Sequence, residues 1–298
     1  MSIVPDMKTK LEAADFSALG RFADNIAAGL KLLSRKPRRR GRQILSRGGA
    51  GLPLAAVLAA SALILFVLCA DVPGSAAAFV WSIDATAIRV ARRLPNWIVI
   101  VFNELTDFGK SGWFLWPVGL ALLAIAGIVA TRTLSRMSRL VLASVAIRLE
   151  FLFAAIAVPG IFTNIVKRFI GRGRPFVGGD VDVYKPFDPS AAYASMPSGH
   201  ATTALSVLIA FGALFPAWRP YLWAYAIVIC VSRVVVTAHH PTDVLAGAVV
   251  GALGALLVRN AFATRNLAFG VAGDGTVTAL AGPSWQRVKA VARRIAGS

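Results

Sequence analysis

Acidic residues are scarce in this chain of 298: 14 Asp and Glu stand against 32 Lys and Arg. No acidic cluster and no His-Glu-x-x-His pattern occurs, so the common frameworks for a catalytic divalent metal are missing. Cysteine is limited to Cys69 and Cys230, both inside long apolar runs, which excludes a disulfide scaffold. Charged residues of either sign make up only 15%, against roughly 25% in soluble domains. A water-soluble core is therefore not the organising principle. What the chain has instead is apolar length, with 57% hydrophobic residues and a mean hydropathy of +0.67. It reads as an all-α integral membrane protein.

The formal charge of +18 is unevenly placed, and its placement argues against nucleic acid as a partner. Lys31–Arg47 carries eight Lys or Arg and no acid, just before the first apolar run. Basic residues beside a span set topology and contact anionic lipid. Residues 1–50 form a cytoplasmic tail in this reading. Leu11, Phe16, Leu19, Phe22, Ile26 and Leu30 recur at helical intervals, which fits either a membrane-surface helix or a solvated targeting arm. The first apolar run begins at Leu52, so the expected anchor is uncleaved.

Crossing roughly 30 Å of hydrocarbon takes about twenty apolar residues. Leu52–Ala70 supplies nearly that many. Residues 75–111 are interrupted by Arg89, Arg92, Arg93 and Pro95 and read as interfacial helices. Trp113–Ala130 is the second span. Arg148 and Glu150 interrupt the next run, and placing them at the membrane face leaves Phe151–Ile170 as the third. Residues 171–197 are a polar loop. Spans four to six run from Gly199 to Phe215, Tyr221 to Ala238 and Thr242 to Val258. The expected architecture is a six-helix transmembrane bundle over 51–260, with interfacial helices and cytoplasmic tails, the second tail covering 261–298.

Six spans put both termini on one side, together with most of the positive charge, as the positive-inside rule requires. Arg89, Arg92 and Arg93 fall on the opposite side. The same count gathers Lys167, Arg174, Ser198, Gly199, His200, Arg233, His239 and Asp243 at the outer face. His200, His239 and His240 are the chain's only histidines.

Lys167, Arg174 and Arg233 are three cations suited to a phosphate, the arginines through a planar fork. Ser198 and Gly199 open a helix, whose free N–H groups attract anions; Pro-Ser-Gly also makes an ordinary cap. His239 and Asp243 flank Pro241, a residue favoured at the first helical position. A carboxylate there can accept Nδ1–H from His239 and leave Nε2 as a nucleophile, with His200 as general acid. Three neighbouring cations would repel a divalent metal. The expectation is chemistry without metal or cofactor, on His239 and not His240.

Lys167 with six residues to Arg174-Pro175, then Pro197-Ser198-Gly199-His200, then Ser232-Arg233, His239 and Asp243-Val244-Leu245-Ala246-Gly247, together resemble the three-part signature of the type 2 phosphatidic acid phosphatase superfamily. The resemblance implies a metal-independent phosphatase on membrane lipids. His239 would form a phosphohistidine, Asp243 would orient it, and His200 would protonate the leaving group. Lys167, Arg174, Arg233, Ser198 and Gly199 would hold the phosphoryl oxygens. Phosphatidylglycerol phosphate, phosphatidate, undecaprenyl diphosphate and lipid A all remain candidate substrates. A lipid phosphotransferase, or a non-catalytic protein that binds or translocates lipid phosphate, would use the same pocket. The soluble vanadate haloperoxidases share the signature, and six apolar spans argue against their activity here. The resemblance places the protein in a bacterial inner membrane, with the site facing the periplasm.

Overall fold

A computed structural model describes residues 20–25, 27, 28, 31, 76–178 and 181–297. The expected first span, Leu52–Ala70, and most of the basic arm lie outside the described residues. Eight α-helices follow in order among those described from residue 76 onward: α1 (Ala76–Ala91), α2 (Asn96–Thr106), α3 (Gly112–Thr131), α4 (Arg136–Ile170), α5 (Gly199–Leu214), α6 (Arg219–Val235), α7 (Pro241–Ala263) and α8 (Trp285–Ala296). One antiparallel hairpin, β1 (Phe269–Val271) with β2 (Val277–Ala279), pairs Gly270 with Thr278 between α7 and α8.

Three described stretches are long and apolar enough to cross a membrane: Asn96–Thr131, Arg136–Ile170 and Pro241–Ala263. Gly199–Leu214 is apolar but only 16 residues long. The span expected over Trp113–Ala130 is helix α3, Gly112–Thr131, and the apolar stretch that contains it extends back to Asn96. A 3₁₀ turn at Asp107–Gly109 carries α2 on towards α3, and Lys110 follows as a polar break between them. Outward-facing Trp116, Leu120, Leu123, Val158, Ile161 and Ile165 are all exposed, a surface that lipid accommodates and water does not.

Helix α4 runs unbroken for 35 residues, roughly 50 Å at 1.5 Å per residue, so it outreaches the hydrocarbon layer. Ser135 caps its start by accepting from the Ser138 N–H. Gly171 ends it at φ 64°, a left-handed position that glycine adopts without strain, and returns its N–H to the Lys167 carbonyl. Arg148 does not interrupt the helix because its guanidinium is satisfied. It donates to Ser144 O and Oγ at 2.8 and 2.7 Å and to Leu280 O at 2.8 Å. That last bond ties the C-terminal segment to α4.

The core lies where α4, α5 and α7 meet. Phe151 packs edge-on against Phe262 and Phe269, 5.6 and 4.6 Å between centroids. Helix α7 approaches α5 closely because two glycines leave room. A Cβ at Gly247 would fall 2.3 Å from Ser198 O, and one at Gly251 would fall 2.2 Å from Thr202 O. Small residues spaced four apart permit such close contact between membrane helices. Gly251→Ala is therefore expected to lower stability by about 1–3 kcal/mol, the usual cost of overpacking. Thermal unfolding in detergent reads this, and an unchanged midpoint would refute the close packing. The contact fixes the start of α5 against the start of α7, where the polar residues collect.

Candidate active site

Three chain segments converge at one end of the α4–α5–α7 core. Ser198 N–H donates to Asp243 O at 2.9 Å, joining the start of α5 to the first turn of α7. Ser195 N–H donates to Arg172 O at 3.1 Å, and Arg174 N–H to Ala192 O at 2.9 Å, docking the loop after α4 on the loop before α5. His239 N–H returns to Arg233 O at 3.2 Å, holding the α6–α7 connection tight.

Asp243 is fully buried and accepts from several sides. Arg172 Nη1 donates to Oδ1 at 2.7 Å; Ser195 Oγ and the His240 N–H donate to Oδ2 at 2.6 and 2.9 Å. The direct bond expected from His239 is not formed. Its Nδ1 lies 3.8 Å from Oδ2, beyond hydrogen-bond reach, and 3.4 Å from Ser195 Oγ. The serine hydroxyl stands between imidazole and carboxylate, and the carboxylate is drawn instead to Arg172 and the backbone of His240. His240 is the N-cap of α7 and forms a reciprocal capping box with Asp243. Its structural role is thereby accounted for.

His239 is buried. Burial, reinforced by Arg233 and Arg174 and opposed by Asp243, pushes its imidazole down to about 4. At neutral pH the ring is uncharged and keeps a lone pair. Arg233, His239 and Arg174 all bear electrostatically on His200. Arg174 bears electrostatically on both Arg233 and Lys167.

Like charges brought together need a counter-charge. Five buried side-chain polar atoms have no hydrogen-bond partner among the described residues. Three of them are Arg174 Nε, Arg233 Nε and Ser198 Oγ, each from a residue expected to hold phosphate. Buried polar atoms are nearly always paired, so a cluster left open marks a place for a ligand. Gly199 adds the free N–H of a helix start.

A family model described as PAP2 superfamily matches residues 149–267, which contain every one of these groups. A lipid A 1-phosphatase of Rhizobium johnstonii is 35% identical over 189 residues, covering 62% of this chain and 76% of that protein. The chain belongs to the PAP2 superfamily. A lipid A 1-phosphatase of Rhizobium etli is 36% identical over 175 residues, 57% of this chain and 74% of that protein. A solved structure of a transmembrane PAP2-type phosphatidylglycerolphosphate phosphatase from Bacillus subtilis aligns over 68% of this chain and 93% of its own. The identity there is 19% and the TM-score 0.47. This PAP2 protein is a membrane phosphatase, a hydrolase of phosphoric esters.

The candidate site of this PAP2 protein is held by residues that spacing did not reveal. Arg172 is fully buried and bridges two carboxylates, donating to Asp243 and, from Nη2, to Asp84 Oδ2 of α1 at 2.8 Å. Asp84 also accepts from the N–H and hydroxyl of Thr242. One signal was available: Asp84 is the only acid between Asp71 and Glu104. Thr106 of α2 accepts from Arg233 Nη1 at 2.6 Å and from Ser232 Oγ at 2.9 Å. Gly109 leaves space for His200, whose Cδ2 would lie 2.8 Å from a Cβ there. The end of α2 and the turn that follows thus pack against two candidate site residues, Arg233 and His200.

Proposed function

We propose that this protein removes the 1-phosphate of lipid A, or of a closely similar lipid phosphate, through a covalent intermediate on His239. The observation that carries the reading is the ring of unpartnered donors, Arg174 Nε, Arg233 Nε and Ser198 Oγ, beside a neutral buried imidazole. The lipid class follows the names of the two Rhizobium relatives.

In the first half-reaction Nε2 of His239 attacks phosphorus. The bond from phosphorus to the lipid oxygen breaks, and His200 delivers a proton to that oxygen. In the second, His200 takes a proton from water, the resulting hydroxide attacks phosphorus, and the P–N bond breaks to release inorganic phosphate. Ser195 accepts from Nδ1–H of His239 and donates to Asp243, which keeps the lone pair on Nε2. Lys167, Arg174, Arg233, Ser198 and the Gly199 N–H hold the phosphoryl oxygens. Positioned charges of this kind supply most of the stabilisation in phosphoryl transfer, and one such donor is worth roughly 10²–10³ in rate.

The cations perform the neutralisation that a metal performs elsewhere, so activity is metal-independent in this reading. The bundle crosses an inner membrane six times, with basic tails on anionic lipid in the cytoplasm and the site on the periplasmic face. Purified protein should release inorganic phosphate from lipid A in the presence of EDTA, faster than from phosphatidate or undecaprenyl diphosphate. A strict requirement for a divalent ion, or a preference for another lipid of the panel, would overturn the corresponding half of the proposal. A reporter fused after Ser298 should read out in the cytoplasm.

A further inference from the structure

Lined in part by the chain neighbours of the catalytic cluster is a cavity of about 310 Å³, within the size range of ligand pockets, roughly 300–1,000 Å³. Arg89, Arg92 and Arg93 line it, all from the end of α1 and the turn that follows. These are the arginines that the positive-inside count could not place. The remaining wall includes Pro175 and His240, which directly follow Arg174 and His239 in the chain. Two of its wall residues are thus the immediate chain neighbours of candidate site residues, on two separate segments.

The three arginines are held together against their own repulsion. Arg92 N–H bonds to Ile88 O at 3.0 Å and Arg93 N–H to Val90 O at 3.0 Å, so the helical path continues past Ala91. Residues three and four apart then share one face, where like charges are destabilising. Among the described residues no carboxylate pairs with Arg89 or Arg93. Arg92 is engaged, donating from Nη2 to the Pro175 carbonyl at 2.6 Å. That bond pins the arginine cluster to the loop carrying Arg174. Arg89 and Arg93 keep their planar forks for a ligand.

We propose that this cavity is a second anion subsite, occupied by a second phosphate on the headgroup of the lipid being hydrolysed. The inference rests on the lipid phosphatase reading above and extends it to the shape of the substrate. Arginine forks match phosphate oxygens in pairs. An anion covalently linked to the group at the catalytic residues would meet a cavity walled by their chain neighbours at high effective concentration. A substrate with two separated phosphates, such as lipid A, meets that description. A lipid with one phosphate does not.

The test uses the full chain in neutral detergent, with two probes: bisphosphorylated lipid A, and the same lipid carrying the 1-phosphate alone. Binding is measured on the His239→Ala protein, where turnover cannot interfere. The bisphosphorylated probe should bind at least tenfold tighter, and adding Arg89→Ala and Arg93→Ala should erase that difference. With His239 intact, the double arginine variant should lose tenfold or more in kcat/KM on the bisphosphorylated lipid, chiefly through KM. On the monophosphorylated lipid it should lose less than twofold. Equal losses on both lipids, or none on either, would overturn the subsite. So would loss of the binding preference when phosphatidylglycerol is added to the micelles, because the cavity would then be holding bulk lipid phosphate. If the intact protein hydrolyses phosphatidate but not lipid A, the substrate reading fails, and the binding comparison still decides the subsite.

Discussion

His239→Ala should reduce phosphate release at least about 10⁴-fold, the scale seen when a covalent nucleophile is removed. His240→Ala should cost less than tenfold. The contrast follows from geometry. His239 is the buried, neutral imidazole beside Arg233 and Arg174, with Ser195 on its Nδ1 side. His240 is the cap of α7, and its strongest tie to Asp243 runs through its backbone N–H, which alanine retains. Removing its ring should weaken the helix start by about 1 kcal/mol. Phosphate release from lipid A by each variant, with thermal unfolding as a folding control, separates the two. Equal loss from both would undo the assignment. Trapping labelled phosphate on His200→Ala protein quenched in alkaline denaturant, where a P–N bond survives, would locate the covalent bond directly, since loss of the general acid and base should slow both steps without removing the nucleophile.

Arg172→Ala should destabilise the protein by about 3–5 kcal/mol, the scale for breaking a buried ion pair from one side. The guanidinium reaches Asp84 and Asp243 simultaneously, and all three side chains are fully buried. Without it two carboxylates remain in an apolar interior with their charge uncompensated. Arg172→Lys should recover only part of the loss, because an ammonium cannot bridge two carboxylates as a fork does. Unfolding midpoints in detergent read the effect. A change below about 1 kcal/mol would show that the bridge contributes little. Turnover should fall with stability, since Arg172 fixes the carboxylate that holds Ser195 against His239.

These two residues mark how far the sequence could be read. His239 was legible because its distances to Arg233 and Asp243 are short and counted along the chain. Several apolar runs were legible for the same reason, three of them long enough to cross a membrane among the described residues. The expected ends of two runs put Ser198 near Asp243, where the Ser198 N–H meets the Asp243 carbonyl. Arg172 stood two residues from Arg174 and gave no comparable signal, because its partners are 71 and 88 positions away. The span expected from Trp113 is helix α3, but the apolar stretch leading into it from Asn96 was not legible as part of the same stretch. Lys110 and its neighbours look like a chain leaving the membrane until Thr106 is seen bound to Arg233, 127 positions away.

The sequence by itself determined that this is a helical membrane protein, and it singled out two histidines, three cations and one carboxylate as candidates for a phosphate site. Length of apolar runs and residue spacing are one-dimensional quantities, and both survive without a fold. Tertiary structure alone decided which atom meets which. It inserted Ser195 between His239 and Asp243, locked Asp243 to α1 through Arg172, and set Gly109 against His200. It also made three arginines that ran against the positive-inside count into the wall of a cavity. Such contacts depend on how close two helices come. In this protein that distance is set by glycines on α7 and by the carbonyls they let approach.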